Sequence, residues 1–262
     1  MADNPIDVPS KHDLFGVNIS AVGYNEALDC VIRAAKQRRP LITTHLAVHG
    51  LIEGCRDPEY GAILNAFDIV APDGQPVRHA LNLIHKVNLR SNCSGPELMV
   101  RICRRAVDEG IGIYLYGATK DVVEALRRNL TAQFPGLNVV CAEPSVFRDL
   151  SEQEKDDFAQ RVNHSGAGIV FIGLGCPLQE RFVYSIRDKF QAVQICVGAA
   201  FDFLSGNKKA APPWMMRWSL GWAFRLSQEP RRLLKRYLVT NTIFLWKLTL
   251  HLLGFRRRRT KP

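Results

Sequence analysis

The strongest constraint in this sequence is an alternation of short apolar runs with segments whose apolar residues recur at spacings of three and four. The first pattern predicts buried strands and the second predicts helices. Alternating strands and helices predict an α/β, Rossmann-like fold with a mostly parallel sheet and helices on both faces. The predicted strands are Leu14–Ile19, Pro40–Thr44, Asp68–Ala71, Ile111–Tyr116, Leu137–Cys141, Gly168–Gly173 and Val193–Gly198, and the predicted helices lie near 24–38, 57–66, 75–85, 95–109, 120–134, 151–164 and 178–190.

A break in charge near residue 207 divides the chain. Residues 208–262 hold 14 of the 35 Lys and Arg residues but a single acid, Glu229, so this segment carries +13 within a net charge of +10. The residues before it therefore carry −3. All four tryptophans, at positions 214, 218, 222 and 246, lie in the same segment. We predict an α/β catalytic body over residues 1–206 and a basic, Trp-rich helical appendage over residues 207–262.

The appendage has the composition of a segment that associates with an anionic membrane surface. Three of its tryptophans are spaced to form one stripe on a helix. The 19 residues from Tyr237 to Phe255 are barely long enough to span a bilayer. Because they include Asn241, Lys247 and His251, we expect this stretch to lie on the membrane. The alternatives are an aromatic stripe packed on the body and a nucleic-acid surface, and the second fits less well because the cations adjoin a long apolar stretch.

Motifs that are missing exclude several classes of protein. The seven cysteines are dispersed and form no C-x-x-C pair, so they provide no metal framework. The sequence contains neither a G-x-G-x-x-G fingerprint nor a D-x-D motif. A nicotinamide-dependent oxidoreductase is therefore disfavoured, and we predict no cofactor and no metal. The first ten residues lack the basic and apolar regions of a secretory signal, which predicts a cytoplasmic protein.

Two glycine-containing loops follow predicted strands and precede predicted helices, which is where parallel sheets bind ligands. Backbone N–H groups at such helix starts can hold a phosphate group. For each loop by itself, a tight turn that contains glycine is as good an interpretation as a phosphate-binding loop. The candidate phosphate-binding residues are Gly117, Ala118 and Thr119 in one loop and Gly173 and Gly175 in the other.

Asp73 follows a predicted strand and faces the expected ligand crevice. An ionised carboxylate at that place could act as a general base toward an acceptor hydroxyl. On position alone, capping the helix that starts near Gln75 is the more frequent role of such an Asp. His45 and His49 follow another predicted strand and could assist, although isolated histidines are more often structural.

Ordered blocks of sequence from about Leu14 to Leu250 form a pattern that covers nearly the whole chain. The blocks are Asp57-Pro-Glu59, Asp68-Ile-Val-Ala-Pro-Asp-Gly74, Gly95-Pro-Glu-Leu-Met99, Tyr114-Leu-Tyr-Gly-Ala118, Phe171–Glu180, Val197–Gly206, Ala211-Pro-Pro-Trp-Met215 and Gln228-Glu-Pro-Arg-Arg232. This pattern resembles the WecG/TagA/CpsF family of bacterial glycosyltransferases.

The resemblance implies an inverting, metal-independent transfer of a sugar from a UDP-sugar to a polyprenyl-diphosphate-linked saccharide. The implied place is the inner face of the bacterial plasma membrane, in the biosynthesis of exopolysaccharides, capsules or cell-wall glycopolymers. The resemblance is also compatible with a homo-oligomer, and it implies no nucleic-acid partner. The alternative is a non-catalytic, membrane-associated scaffold of a polysaccharide assembly complex.

Matched motif by motif, the resemblance implies that Asp73 is the general base and Gln179 an active-site glutamine. Two motifs depart from the family's pattern. The family's Thr-x-Asn is Thr43-Thr44-His45 in this sequence, and its Gly-x-Asp-Leu is Gly95-Pro96-Glu97-Leu98. Residues near both loops are expected to contact the donor sugar, so these departures leave its identity open. The implied substrate-binding residues are Thr43, His45, Gly74, Gly95 and Glu97, the five loop residues above, and the arginines expected to close over the donor diphosphate, Arg217, Arg225, Arg231 and Arg232.

Overall fold

A parallel β-sheet forms the centre of the molecule. The computed structural model describes residues 6–212, 214–215 and 220–254. Six strands are ordered β4-β3-β8-β7-β5-β6, and every neighbouring pair is parallel. The predicted parallel α/β sheet is confirmed. The strands are β3 (Leu41–Leu46), β4 (Ile69–Pro72), β5 (Ile113–Gly117), β6 (Val139–Glu143), β7 (Ile169–Gly173) and β8 (Val193–Cys196).

Helices cover both faces of this sheet, because alternate residues of each strand point into two separate apolar cores. Leu115 faces one core, and its neighbour Tyr116 faces the other. The first core is covered by α1 (Tyr24–Lys36), α5 (Gly95–Asp108), α6 (Lys120–Gln133) and α9 (Ala200–Leu204). The second is covered by α2 (Val48–Arg56), α3 (Pro58–Ala66), α4 (Gln75–His85), α7 (Glu152–Ser165) and α8 (Leu178–Ile186).

The order of the strands places a crevice at the carboxyl edge of the sheet. Strand β5 leads into α6 on one face, whereas its neighbour β7 leads into α8 on the other face. Connections that diverge in this way leave a gap beyond the carboxyl ends of the two strands, and α/β proteins bind ligands there. Both glycine loops predicted from the sequence border this gap.

Two predicted features of the first half of the chain differ in the structure. The single strand predicted over Leu14–Ile19 is instead an antiparallel hairpin of β1 (Lys11–Leu14) and β2 (Val17–Ser20). Its turn is stabilised by Asp13, whose carboxylate accepts a hydrogen bond of 2.9 Å from the Gly16 N–H. Helix α2 was not predicted, because two glycines weaken its helical pattern. One of them, Gly54, lets α3 approach so closely that a Cβ on Gly61 would lie 2.6 Å from its carbonyl oxygen.

Two predicted helix starts are confirmed by their hydrogen bonds. The Thr119 hydroxyl accepts a bond of 3.4 Å from the Val122 N–H at the start of α6. Ser151 and Glu154 form the reciprocal capping box at the start of α7. Side-chain caps of this kind satisfy N–H groups that the first helical turn leaves unpaired.

Two C-terminal helices follow the sheet, α10 (Gly221–Gln228) and α11 (Pro230–Leu252). Helix α11 lies across α2 and buries Leu233, Thr240 and Phe244. The Phe244 ring packs edge-on against Phe15 of the hairpin turn, with ring centroids 5.9 Å apart. Within the described ranges, no helix is both long enough and apolar enough to cross a membrane.

The predicted tryptophan stripe lies only partly within the described residues, since Trp218 is outside them. Trp214 and Trp222 are 58% and 53% exposed, so the interpretation of the stripe as buried core is wrong for these two residues. Further along, α11 also leaves Leu245 and Trp246 exposed. The C-terminal helices therefore present apolar side chains to solvent as well as to the body.

Candidate active site

Asp73 lies directly beyond β4 at the carboxyl edge of the sheet. Its backbone N–H donates a hydrogen bond of 3.1 Å to the carbonyl of Leu46, at the end of the neighbouring strand. Helix α4 begins at Gln75 with Gly74 as its N-cap residue and without a side-chain cap. The carboxylate of Asp73 is therefore not committed to capping α4, which was the structural alternative for this residue.

The surroundings of Asp73 make it a stronger base than an ordinary aspartate. The side chain is half-buried. Burial raises the pKa of Asp73 to about 6, while the charge of Arg225 and the backbone N–H of Gly74 oppose that shift. A carboxylate with this pKa is ionised at neutral pH and accepts a proton more readily than one with an unperturbed pKa near 3.9.

Arg225 belongs to α10 and connects the C-terminal helices to this site. Its guanidinium stacks over the ring of Phe203, 5.4 Å from the ring centroid, and its charge acts on Asp73. A cation beside a candidate base can also stabilise negative charge on a phosphate group bound there.

The other arginines predicted to contact the donor diphosphate lie elsewhere. Arg231 is exposed on α11, Arg232 pairs with Glu229, and Arg217 lies outside the described residues.

Gln179 is buried in the first turn of α8, and its carboxamide is held by the adjacent Glu180. The Gln179 Nε2 donates a hydrogen bond of 2.8 Å to Glu180 Oε1. The same carboxyl oxygen accepts a bond of 2.7 Å from the hydroxyl of Thr44 on β3. Gln179 Oε1 is buried beside Gly198 and has no hydrogen-bond partner among the residues that the structure describes. The amide therefore presents an unsatisfied acceptor at the carboxyl edge.

Glu180 is a buried carboxyl group that the sequence analysis did not single out. It is fully buried, and its Oε2 has no hydrogen-bond partner of normal geometry in the described part of the chain. Burial raises the pKa of Glu180, although the hydrogen bonds from Gln179 and Thr44 oppose the shift. Burial without a paired cation favours the neutral, protonated carboxyl. We therefore interpret Glu180 as a buried hydrogen-bond acceptor whose raised pKa favours the neutral form and which orients Gln179.

Strand β3 provides further buried polar atoms, on Thr43 in its middle and on His45 near its end. The hydroxyl of Thr43 and both ring nitrogens of His45 are buried, and within the described ranges they lack hydrogen-bond partners of normal geometry. Burial lowers the pKa of His45 to about 4, although the backbone of Cys93 opposes the shift, so the ring is neutral at physiological pH. A Cβ on Gly95 would lie only 3.1 Å from the His45 ring. The start of α5 thus lies directly against this histidine.

Glu97, in the first turn of α5, lies apart from these buried groups. Its carboxylate pairs with Arg101 at 2.8 Å on the exposed side of the helix. In this arrangement Glu97 is engaged in a surface ion pair, so its predicted contact with the donor sugar stays a prediction.

The two glycine loops contact each other at the crevice. A Cβ on Gly117 would lie 2.6 Å from the carbonyl oxygen of Gly173, and the Ala118 N–H donates a bond of 3.2 Å to that oxygen. This backbone approach explains Gly117, and the ring of Phe201, which would lie 2.6 Å from a Cβ on Gly173, explains Gly173, in both cases without a ligand. Gly175 differs, because a Cβ there would meet nothing within 4 Å. Phosphate binding by Gly117, Ala118, Thr119, Gly173 and Gly175 stays a prediction.

The structure thus brings Asp73, Gln179 and His45 to the carboxyl edge of the sheet, together with Arg225, whereas Thr43 lies in the middle of β3. Among the described residues, no group of three or more His, Cys, Asp and Glu side chains is arranged to hold a metal ion. The arrangement combines a carboxylate base, a cation and several buried hydrogen-bonding atoms. Such a set can remove a proton from a hydroxyl and stabilise a departing phosphate.

Comparison with known proteins identifies glycosyltransferases as relatives of this chain. The model of the glycosyl transferase WecG/TagA/CpsF family matches residues 12–258. The chain is 33% identical over 181 residues to an N-acetylglucosaminyldiphosphoundecaprenol N-acetyl-beta-D-mannosaminyltransferase of Bacillus spizizenii, across 69% of this chain and 68% of that protein. It is 31% identical over 178 residues to a protein of the same name from Bacillus subtilis, across 68% and 67% of the two chains.

Proposed function

The chain belongs to the WecG/TagA/CpsF family of glycosyltransferases, and on this premise we propose that it transfers a sugar from a UDP-sugar to a polyprenyl-diphosphate-linked saccharide. The observation that carries the proposal is the half-buried Asp73, with a raised pKa and Arg225 beside it, at the carboxyl edge of a parallel sheet. The names of both Bacillus relatives describe a lipid-diphosphate-linked acceptor.

The proposed reaction is a single displacement at the anomeric carbon of the donor sugar. Asp73 takes the proton of the acceptor hydroxyl while that oxygen bonds to the anomeric carbon. The bond between this carbon and the diphosphate oxygen breaks, and UDP leaves with the electron pair. One displacement inverts the configuration, and Arg225 stabilises the charge that develops on the diphosphate, so the proposed step is metal-independent.

The proposed donor carries an N-acetylhexosamine, and N-acetylmannosamine is the first candidate because both relatives are named for it. Thr43, His45 and the Oε1 of Gln179 are the buried polar atoms available to recognise its substituents. Buried groups without partners discriminate strongly between ligands, because a ligand that leaves them unpaired loses binding energy.

The test is label transfer from a panel of UDP-sugars to N-acetylglucosaminyl-diphospho-undecaprenol in anionic vesicles, with EDTA present. We expect one UDP-sugar to be used and EDTA to have no effect. Binding of UDP without transfer from any donor to this acceptor or to longer lipid-linked saccharides would contradict the proposal and favour the scaffold alternative.

Replacing Arg225 should change how the reaction depends on pH. Because Arg225 opposes the burial that raises the pKa of Asp73, Arg225→Ala should raise that pKa further. A general base must be deprotonated, so activity rises with pH through the pKa of Asp73, and the acidic limb of kcat/KM should lie near pH 6 in the wild type. We expect Arg225→Ala to move this limb to higher pH as well as to raise the KM for the donor.

The measurement is the pH profile of kcat/KM for wild type and Arg225→Ala, with Arg127→Ala as a control that removes an exposed cation from α6. An unchanged acidic limb in Arg225→Ala would separate Arg225 from Asp73 and contradict the proposed arrangement.

We also propose that α11 lies on the inner face of the plasma membrane. Leu238, Leu245 and Trp246 are 61%, 59% and 63% exposed on this helix. Apolar side chains next to cations favour the interface of an anionic bilayer, where each basic residue contributes about 1 kcal/mol. This placement would bring the site to its lipid-linked acceptor.

Substitutions on the exposed face of α11 test the membrane proposal. Leu245→Glu should weaken binding to phosphatidylglycerol vesicles and lower transfer to the lipid-linked acceptor, because it inserts a charge into the apolar face. Leu83→Glu adds the same charge to an exposed leucine of α4 and should leave both unchanged. Equal vesicle binding by the two variants in a flotation assay would contradict an interfacial α11.

A further inference from the structure

A cavity of about 280 Å³ that is wide open to solvent lies between α2 and α11, and neither Asp73 nor Arg225 lines it. Its walls are His49 and Glu53 from α2 and Arg232, Lys235, Arg236 and Thr240 from α11. Three cations thus surround a space with one carboxylate. Lys235 and Arg236 have no carboxylate within ion-pair distance among the residues that the structure describes, so their charge is available to an anionic ligand.

His49 adds a hydrogen-bonding group to this cavity. Its Nδ1 is buried, lies 3.9 Å from the Glu53 carboxylate and has no hydrogen-bond partner among the described residues. Burial and the neighbouring charge of Arg236 lower the pKa of His49, while Glu53 opposes the shift. A neutral imidazole beside cations can donate a hydrogen bond to an anion.

The cavity lies at the same edge of the sheet as the proposed base. Helix α2 begins immediately after β3, and the backbone carbonyl of Leu46 on that strand accepts the N–H of Asp73. His49 is three residues beyond Leu46, so their Cα atoms are at most about 11 Å apart. The cavity and Asp73 therefore lie on neighbouring connections at the same edge of the sheet.

The two sets of cations act on different groups. Arg225 acts on Asp73, whereas the charge of Arg236 acts on His49 and on Cys176 in the loop after β7. The reaction proposed above has two diphosphates, one in the donor and one in the acceptor. Exposed Leu234 and Leu238 flank the cations of the cavity on α11, which suits a diphosphate that carries a hydrocarbon chain.

We propose that the cavity between α2 and α11 binds the diphosphate of the lipid-linked acceptor, and that the cation beside Asp73 binds the diphosphate of the nucleotide donor. This inference rests on the proposed function. It assigns the acceptor to Lys235, Arg236 and His49, and it places the reacting saccharide between the cavity and the base.

Steady-state kinetics of Arg236→Gln provide the first test. With the UDP-sugar saturating, the KM for the diphosphate-linked acceptor should rise about tenfold to a hundredfold, because a charge-assisted contact is lost. The KM for the UDP-sugar and kcat should stay unchanged. Lys247→Gln is the matched control, since it removes the same charge from α11 away from the cavity and equally weakens attraction to an anionic membrane.

An acceptor whose diphosphate is replaced by a neutral linker completes this test. We expect Arg236→Gln and wild type to have the same KM for that acceptor, because the contact that the substitution removes is already absent. An equal rise in KM for both acceptors in Arg236→Gln, or an equal rise in the KM for the diphosphate-linked acceptor in Lys247→Gln, would overturn the assignment. The second result would identify general attraction to the membrane surface as the cause.

Calorimetric binding of inorganic diphosphate to UDP-saturated protein separates this inference from the proposed function. Binding should be present in wild type and Lys247→Gln and lost in Arg236→Gln. If wild type binds diphosphate in this way but transfers no sugar, the anion site stands and the proposed function fails. If it transfers sugar but Arg236→Gln binds diphosphate as wild type does, the function stands and this inference fails.

Discussion

Replacing Asp73 by Asn is expected to lower kcat by about a hundredfold to ten-thousandfold, because a positioned general base contributes on that order to a proton-transfer step. Asparagine keeps the shape of the side chain but cannot take the proton. Binding of the UDP-sugar should stay within a few-fold of wild type, since the donor is held by other groups. The measurement is single-turnover transfer together with calorimetry of donor binding.

The same variant should fold at least as well as wild type. A carboxyl whose pKa is raised from 3.8 to about 6 by folding favours the folded state at low pH, and this contribution is lost as pH rises through that range. Each tenfold change in the ionisation constant corresponds to about 1.4 kcal/mol, so the ionised Asp73 costs at most about 3 kcal/mol at neutral pH. Asp73→Asn should therefore raise the Tm above pH 6, with the difference disappearing at low pH.

A control variant keeps the interpretation of Asp73→Asn clear. Asp108→Asn neutralises an exposed carboxylate at the far end of α5 and should change neither kcat nor the pH dependence of Tm. Full turnover by Asp73→Asn with normal donor binding would remove Asp73 from the chemistry. Lost donor binding in that variant would instead assign it a role in holding the nucleotide.

Glu180→Ala is expected to produce the second large effect, a fall in kcat on the order of a hundredfold. The substitution removes the acceptor of the hydrogen bonds from Gln179 and Thr44, and a buried polar group left unpaired costs about 1–3 kcal/mol. Gln179 would then lose its fixed orientation beside Gly198. Glu180→Gln keeps an acceptor oxygen of the same reach and should retain activity within about fivefold, because that oxygen can accept the hydrogen bonds from Gln179 and Thr44.

A double-mutant cycle distinguishes positioning from a general loss of packing. If Glu180 acts through Gln179, adding Glu180→Ala to Gln179→Ala should lower kcat little further, since contacting residues that act as a unit are not additive. Melting temperatures of all variants report the structural cost separately. Independent, additive losses in kcat, or a Glu180→Gln enzyme as inactive as Glu180→Ala, would contradict the role given to Glu180.

The fold could be predicted from the sequence to the extent that its elements repeat a simple pattern. Buried parallel strands are continuous apolar runs, and Thr119 and Ser151 mark helix starts by their capping chemistry. The hairpin of β1 and β2 is not evident from the sequence, because its two short strands and the turn between them resemble one apolar run. Helix α2 was missed because the reason for its glycines is the close approach of α3, which no local pattern contains.

The candidate site could likewise be predicted from the sequence only in part. Asp73 could be singled out because it follows a strand at the carboxyl edge, but its raised pKa depends on burial and on Arg225, about 150 residues away along the chain. Glu180 gave no signal, since a Gln-Glu pair at a helix start resembles any solvated first turn. Only the packing of β3 against α8 shows that this carboxyl is buried and bonded to Thr44.

The central claim, direct attack by an acceptor hydroxyl that Asp73 deprotonates, is tested most directly by the anomeric configuration of the product. The measurement is the one-bond carbon–hydrogen coupling at the anomeric position after transfer from an α-linked UDP-sugar labelled with ¹³C at that carbon. The account predicts a β-linked product, inverted by a single displacement. An α-linked product would show retention and would contradict a mechanism in which Asp73 acts only as a base.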